Sequence, residues 1–292
     1  MARFSPLMAS LPLLISLMSA TFQAQANNQL PDIGTAGVAA LPIEQEVRYG
    51  NAFMRFARAG LPIIDDPVLN EYIDDLGQRL LTNADGVRFP FTFFLINDPS
   101  INAAAFLGGR VKVHTGLFLY ADNESELASV LAHEITHVTQ RHIARYMEAQ
   151  ASSSAMTLAG LVGSIALAVI NPTAGIAALQ TTLGLSMQSA INYTRDHEYE
   201  ADRIGMKTLY DAGFDPMGMA SFFQKLAAEY RYASKPPEML LTHPLPETRI
   251  SEARARANSY GRRALPPSPA FWLAKVRIQV RYGTESPQAL LT

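Results

Sequence analysis

The string His133-Glu134-Ile135-Thr136-His137 carries the first chemical signal in the sequence. On a helix, residues four apart share a face, so the two imidazoles reach one cation. Glu134 stands one position along, where its carboxylate reaches a metal-associated water without being a ligand. Neutral imidazole suits zinc, and a catalytic zinc takes three protein ligands and keeps a fourth position open. The competing reading is a pair of surface histidines. The chain has no cysteine, which excludes disulfides, thiolate metal sites and cysteine nucleophiles. Any further ligand is therefore His, Asp or Glu. Only six histidines are present, at positions 114, 133, 137, 142, 197 and 243, so their placement is informative.

A third ligand close by in sequence does not fit. A His-Glu-x-x-His-x-x-Gly-x-x-His site needs glycine at 140 and histidine at 143, and the chain has Gln140 and Ile143. His142 thus reads as a surface or capping histidine. Asp196-His197-Glu198-Tyr199-Glu200-Ala201-Asp202 offers a better set. Glu198 and Asp202 are four apart, so Glu198 can ligate while Asp202 accepts the second N–H of a ligand histidine and fixes its tautomer. Glu200 is turned away from Glu198 on a helix and stands in reserve.

These residues need elements to hold them. Asp122 or Asn123 caps the next helix, Glu126 lies three residues after Asn123 as in a capping box, and Leu127, Val130, Leu131, Ile135 and Val138 give that helix a buried face. A charged, then amphipathic helix runs over 195–212 and ends at Gly213. Asp215-Pro216 starts another, to about 231, and 247–259 is a charged helix. Upstream, 43–59 has helical spacing, and Asp66-Pro67 reads as N-cap and first helical residue of the next helix. Residues 91–97 (FTFFLIN) read as a strand. Residues 103–113 read as a second extended stretch, with Gly108-Gly109 either admitting another chain closely or forming a hairpin turn. The expected fold is mainly α with a small β-sheet.

The flanks and composition set the context. Arg3, an apolar run over 7–18 and Ala24-Gln25-Ala26 have the form of a signal peptide cleaved after Ala26. That predicts an exported, periplasmic protein with 1–26 as signal peptide, 27–262 as the domain that carries the metal motif, and 263–292 as a Pro-rich linker with a short helix. Residues 156–187 are two apolar runs around Asn171-Pro172, each shorter than a bilayer span. They read as a helical hairpin, either a core element or a lid touching a membrane surface. Formal net charge is -2 and no basic run stands out, which argues against a nucleic-acid partner.

The string 133–137, followed by Tyr193-Thr194-Arg195-Asp196-His197-Glu198-Tyr199-Glu200-Ala201-Asp202-Arg203-Ile204-Gly205, resembles the HtpX and CAAX-prenyl-protease family of zinc peptidases, and its soluble periplasmic branch most. The likeness runs from about 43 to 257. It implies a gluzincin-type domain with one Zn2+ on His133, His137 and Glu198, and Glu134 as general base. Thr242-His243-Pro244-Leu245-Pro246-Glu247-Thr248-Arg249-Ile250 is similar to that branch's His-Pro motif. The resemblance implies that His243 can latch the zinc's open position and that Arg249 faces the reacting carbonyl. On the residues alone, His243 is a loop histidine and Arg249 a solvated one. The implied substrates are unfolded or misassembled outer-membrane proteins, bound along the 103–113 edge, with the outer-membrane assembly machinery as a partner. The alternative is a non-enzymatic chaperone or assembly factor whose zinc is structural or permanently latched. Of the tetratricopeptide array common in that branch, the chain holds about one helix.

Overall fold

A computed structural model describes residues 36–149, 187–232 and 238–283, with scattered positions between 160 and 178. The expected signal peptide and most of the expected 156–187 hairpin lie outside the described residues. The elements are α1 (Ile43–Gly60), α2 (Pro67–Leu81), β1 (Thr92–Ile96), β2 (Ala103–Phe106), β3 (Arg110–His114), α3 (Thr115–Tyr120), α4 (Glu124–Thr139), α5 (His142–Ala149), α6 (Met187–Asp211), α7 (Met217–Tyr232), α8 (Glu238–Thr242), α9 (Glu247–Tyr260) and α10 (Pro269–Tyr282). The chain is thus mostly helical with a three-stranded sheet, as the sequence predicts.

The sheet has the order β1-β3-β2, with β1 parallel and β2 antiparallel to β3. Alternation along β1 sends Phe93 and Leu95 into the main core and Phe94 and Ile96 into a second cluster with Phe53 of α1 and Ala144 and Met147 of α5. Both faces are covered, which is why this strand reads as a continuous apolar run. Gly108 and Gly109 make the turn between β2 and β3, with φ of 70° and 75°. The loop between the paired residues Phe106 and Arg110 is three residues long, and its two positive φ values fall on glycines, which carry no Cβ penalty there. A Cβ at these positions would meet Glu46 O at 2.8 Å and Pro90 O at 2.9 Å. Both readings of the glycine pair, turn and close approach, therefore apply.

Helix α4 is the centre of the molecule. Asn123 accepts from the Glu126 amide at 3.1 Å, and Glu126 accepts from the Asp122 amide at 2.9 Å. Leu127, Ala128, Leu131, Ala132 and Ile135 have no exposed surface. The face of α6 against it carries Glu198, Asp202 and Gly205, spaced four and three apart. A Cβ on Gly205 would lie 3.1 Å from the Ala132 carbonyl and the His133 amide. The bare glycine lets the two backbones close up beside His133.

Three elements were not foreseen: α3, α5 and α8. Helix α5 begins after a sharp break, because Arg141 sits at φ 54°, a left-handed conformation uncommon for a residue with a Cβ. Its buried guanidinium donates to Glu46 Oε1 at 2.8 Å and to the Ala36 and Leu41 carbonyls. At the far end, Ser268 caps α10, and Phe271, Ala274 and Ile278 join the main core. Asp66 caps α2 as predicted, accepting from the Val68 and Leu69 amides. The same carboxylate receives Arg277 and Arg281 of α10 at 2.8 and 3.1 Å. Among the described residues no helix is long and apolar enough to cross a membrane.

Candidate metal centre

The fold brings His133 and His137 of α4, Glu198 of α6 and His243 of the α8–α9 loop into one cluster. The two Nε2 atoms of His133 and His137 lie 3.0 Å apart. Glu198 Oε2 is 3.3 Å from His133 Nε2, and Oε1 is 3.3 Å from His137 Nε2. His243 Nδ1 is 3.4 Å from His133 Nε2 and 3.1 Å from Glu198 Oε1. Ligands at roughly 2.0–2.1 Å from a tetrahedral zinc lie about 3.3 Å from one another. The donor set fits that cation in both spacing and chemistry. His133, Glu198 and His243 are all buried, and Glu198 is only 1% exposed.

Electrostatics around the cluster favour a positive charge within it. Burial opposes ionisation of Glu198, yet His243, Arg249 and the two α4 histidines hold its carboxyl well below the usual range. Burial also opposes charge on His133, but contact with Asp202 and Glu198 outweighs it and raises its pKa to about 10 in the protein alone. His137 goes the other way, because burial and its histidine neighbours outweigh Glu198.

Each α4 histidine is held from behind. His133 Nδ1 lies 3.0 Å from Asp202 Oδ1, the arrangement expected from the four-residue spacing of Glu198 and Asp202. His137 Nδ1 lies 2.9 Å from His142 Nδ1, and His142 Nε2 lies 3.2 Å from Glu200 Oε2. His142 is thus buried against the His137 ring rather than a surface or capping residue, and Glu200 serves it instead of standing as a spare ligand. His197 stacks on His142 with ring centroids 4.2 Å apart.

Arg249, the residue that the resemblance sets facing the reacting carbonyl, is buried among carboxylates. Its guanidinium is 2% exposed and every nitrogen is engaged. Nε and Nη2 donate to Asp202 at 2.7 and 2.8 Å, and Nη1 donates to Glu198 at 2.8 Å and to the Pro244 carbonyl at 2.6 Å. It clamps two carboxylates and the His243 loop.

Glu134 lies between the cluster and the sheet. Its Oε2 accepts from the Ala105 amide at 2.8 Å, and Oε1 is 3.4 Å from His243 Nε2. Asn102 O accepts from the His114 amide, so the alternation along β2 turns the Ala103 and Ala105 amides away from β3. The general-base candidate therefore touches the free edge of the sheet. Sequence reasoning missed this contact, since nothing local to Ala105 signals it.

Residues 67–257 match the family model for peptidase family M48. A Vibrio cholerae protein is 57% identical over 263 residues, covering 90% of this chain and 54% of its own length. The beta-barrel assembly-enhancing proteases of Yersinia pestis and Escherichia coli strain K12 are 52% identical over 260 residues and 50% over 261. Each alignment covers 89% of this chain and 54% of the relative. The chain spans about half the length of the curated relatives it matches. With more than half of its residues under one family model and its histidines and carboxylates gathered at zinc spacing, the chain belongs to peptidase family M48.

Proposed function

We propose that this chain is a zinc-dependent endopeptidase of the periplasm that degrades misfolded or unassembled outer-membrane proteins and assists their assembly. The observation that carries the reading is Glu134, placed between a zinc-spaced donor set and the free edge of β2. The names of the relatives from Yersinia pestis and Escherichia coli support the substrate class, and the signal-peptide pattern of 1–26 supports export. Residues 27–262 are read as the catalytic unit, with 263–292 continuing beyond it.

His133, His137 and Glu198 would hold the zinc, which when bound supplies Lewis acidity toward a peptide carbonyl and toward water. Glu134 takes a proton from the attacking water and hands it to the leaving amine. The outward edge of β2 binds an extended peptide through its backbone, which takes the Ala105 amide over from Glu134, a mode that tolerates many side chains and suits unfolded substrates. Arg249 holds Glu198 and Asp202 in place. His243 would act as a latch: its Nδ1, 3.1 Å from Glu198 Oε1, would supply a fourth donor to the zinc, and its Nε2 faces Glu134.

That same position of His243 favours a second reading, a non-enzymatic assembly factor with a closed four-ligand zinc site. Zinc content and cleavage of casein or an unfolded outer-membrane protein, measured for wild type, Glu134→Gln and His243→Ala, separate the two. A latched protease keeps zinc in all three, loses cleavage in Glu134→Gln and gains it in His243→Ala. Zinc in all three without cleavage by any supports the assembly factor. Absence of zinc from the wild type sinks both.

A further inference from the structure

The geometry points to His142 and Glu200 as positioning residues that fix the tautomer and orientation of His137, through a histidine-to-carboxylate relay across α4, α5 and α6. The inference rests on the zinc reading above. His137 turns Nε2 into the donor cluster, so its proton sits on Nδ1, which lies 2.9 Å from His142 Nδ1. Two ring nitrogens at that distance share one proton. His142 Nδ1 must therefore be the bare acceptor, and the His142 proton must sit on Nε2. That nitrogen lies 3.2 Å from Glu200 Oε2, an acceptor-only carboxylate. Glu200 is tied in turn by Arg145 Nη1 at 2.7 Å. His197 lies flat on the His142 ring, 3° from parallel, and leaves that ring little freedom to rotate.

The two α4 ligands are thus supported differently. His133 meets the Asp202 carboxylate directly at 3.0 Å. On its Nδ1 side His137 reaches a carboxylate through a second imidazole, which transmits orientation while keeping that negative charge one ring further away. Carboxylate or carbonyl support of a ligand histidine's second nitrogen sets its tautomer and affects metal affinity by about 10–100-fold.

The test uses the full chain, with zinc affinity read by competition against a chromophoric chelator. Long-range 1H–15N correlation spectra of the imidazoles in the zinc-loaded protein give the tautomers. The wild type binds one zinc, and His142 carries its proton on Nε2. His142→Ala weakens zinc by about 10–100-fold. His142→Asn, whose Oδ1 replaces the acceptor, restores affinity to within about threefold of wild type. Should His142→Ala fail to fold, Glu200→Ala serves instead, with a smaller loss of the same sign. A wild type that binds no zinc overturns the metal reading and the relay together. Normal zinc binding by wild type with equal affinity in His142→Ala overturns the relay alone. So does an Nδ1–H tautomer at His142, or an Asn variant as weak as the Ala variant.

Discussion

At the level of single side chains, the centre depends on buried groups that neutralise one another. Removing Asp202 leaves His133 Nδ1 without its carboxylate. Asp202→Ala is expected to weaken zinc by about 10–100-fold in chelator competition. Arg249 is the more severe case, because Arg249→Leu strips two buried carboxylates, Glu198 and Asp202, of their shared guanidinium. Breaking one partner out of a buried ion cluster costs about 3–5 kcal/mol. Urea unfolding of the metal-free variant should show that loss; an unchanged midpoint would mean the cluster is looser than its distances imply. The gathering of His133, His137 and Glu198 was legible, since His133 and His137 are four apart and Glu198 stands four before Asp202. His142 was not, because it lies beyond the left-handed break at Arg141, where helical spacing from His137 no longer predicts direction. The engagement of Arg249 was equally hidden, since its carboxylate partners lie 47 and 51 residues away.

At the level of elements, the contact of α6 with α4 sets the cluster's dimensions. Gly205→Val would push a branched side chain into the Ala132 carbonyl and the His133 amide. The helices must then separate, carrying Glu198 and Asp202 away from α4. Overpacking of this kind costs about 1–3 kcal/mol. The expected outcome is a lower thermal midpoint together with zinc affinity reduced at least as much as in Asp202→Ala; lost stability with unchanged affinity would refute the spacer role. Elements with strong local signals were readable: the cap at Asn123, Asp66-Pro67, and the aromatic run of β1. Helices α3 and α8, of six and five residues, are too short to display a helical period. They exist because the chain must turn around the core, which is a tertiary demand.

Across the whole molecule, α10 is fastened to α2 through Asp66. Burial alone would raise this carboxyl, but Arg277, the Leu69 amide and Arg281 bring it below its ordinary value. A folded pKa below the unfolded value of about 3.9 gives stability that is present above that pH and lost as pH falls through the folded value. The gap in melting temperature between wild type and Asp66→Asn should therefore be widest near neutrality and shrink below about pH 4. A gap independent of pH would show that shape, not charge, holds the joint. The two separate apolar clusters follow from the β1 alternation, which the sequence displays. Their closure by Arg141 and α10 does not follow from any local pattern.

The joint at Asp66 also has a consequence in time. Its two arginines are made more than two hundred residues after it, and Arg141 reaches the Ala36 and Leu41 carbonyls across about a hundred. Closing such distant loops is slow and entropically costly. A nascent chain stopped before 269 should therefore remain easily cut by added protease. The first half would gain rigidity only once α10 has emerged, so that the order of synthesis delays the closing of the fold around the metal-site cluster.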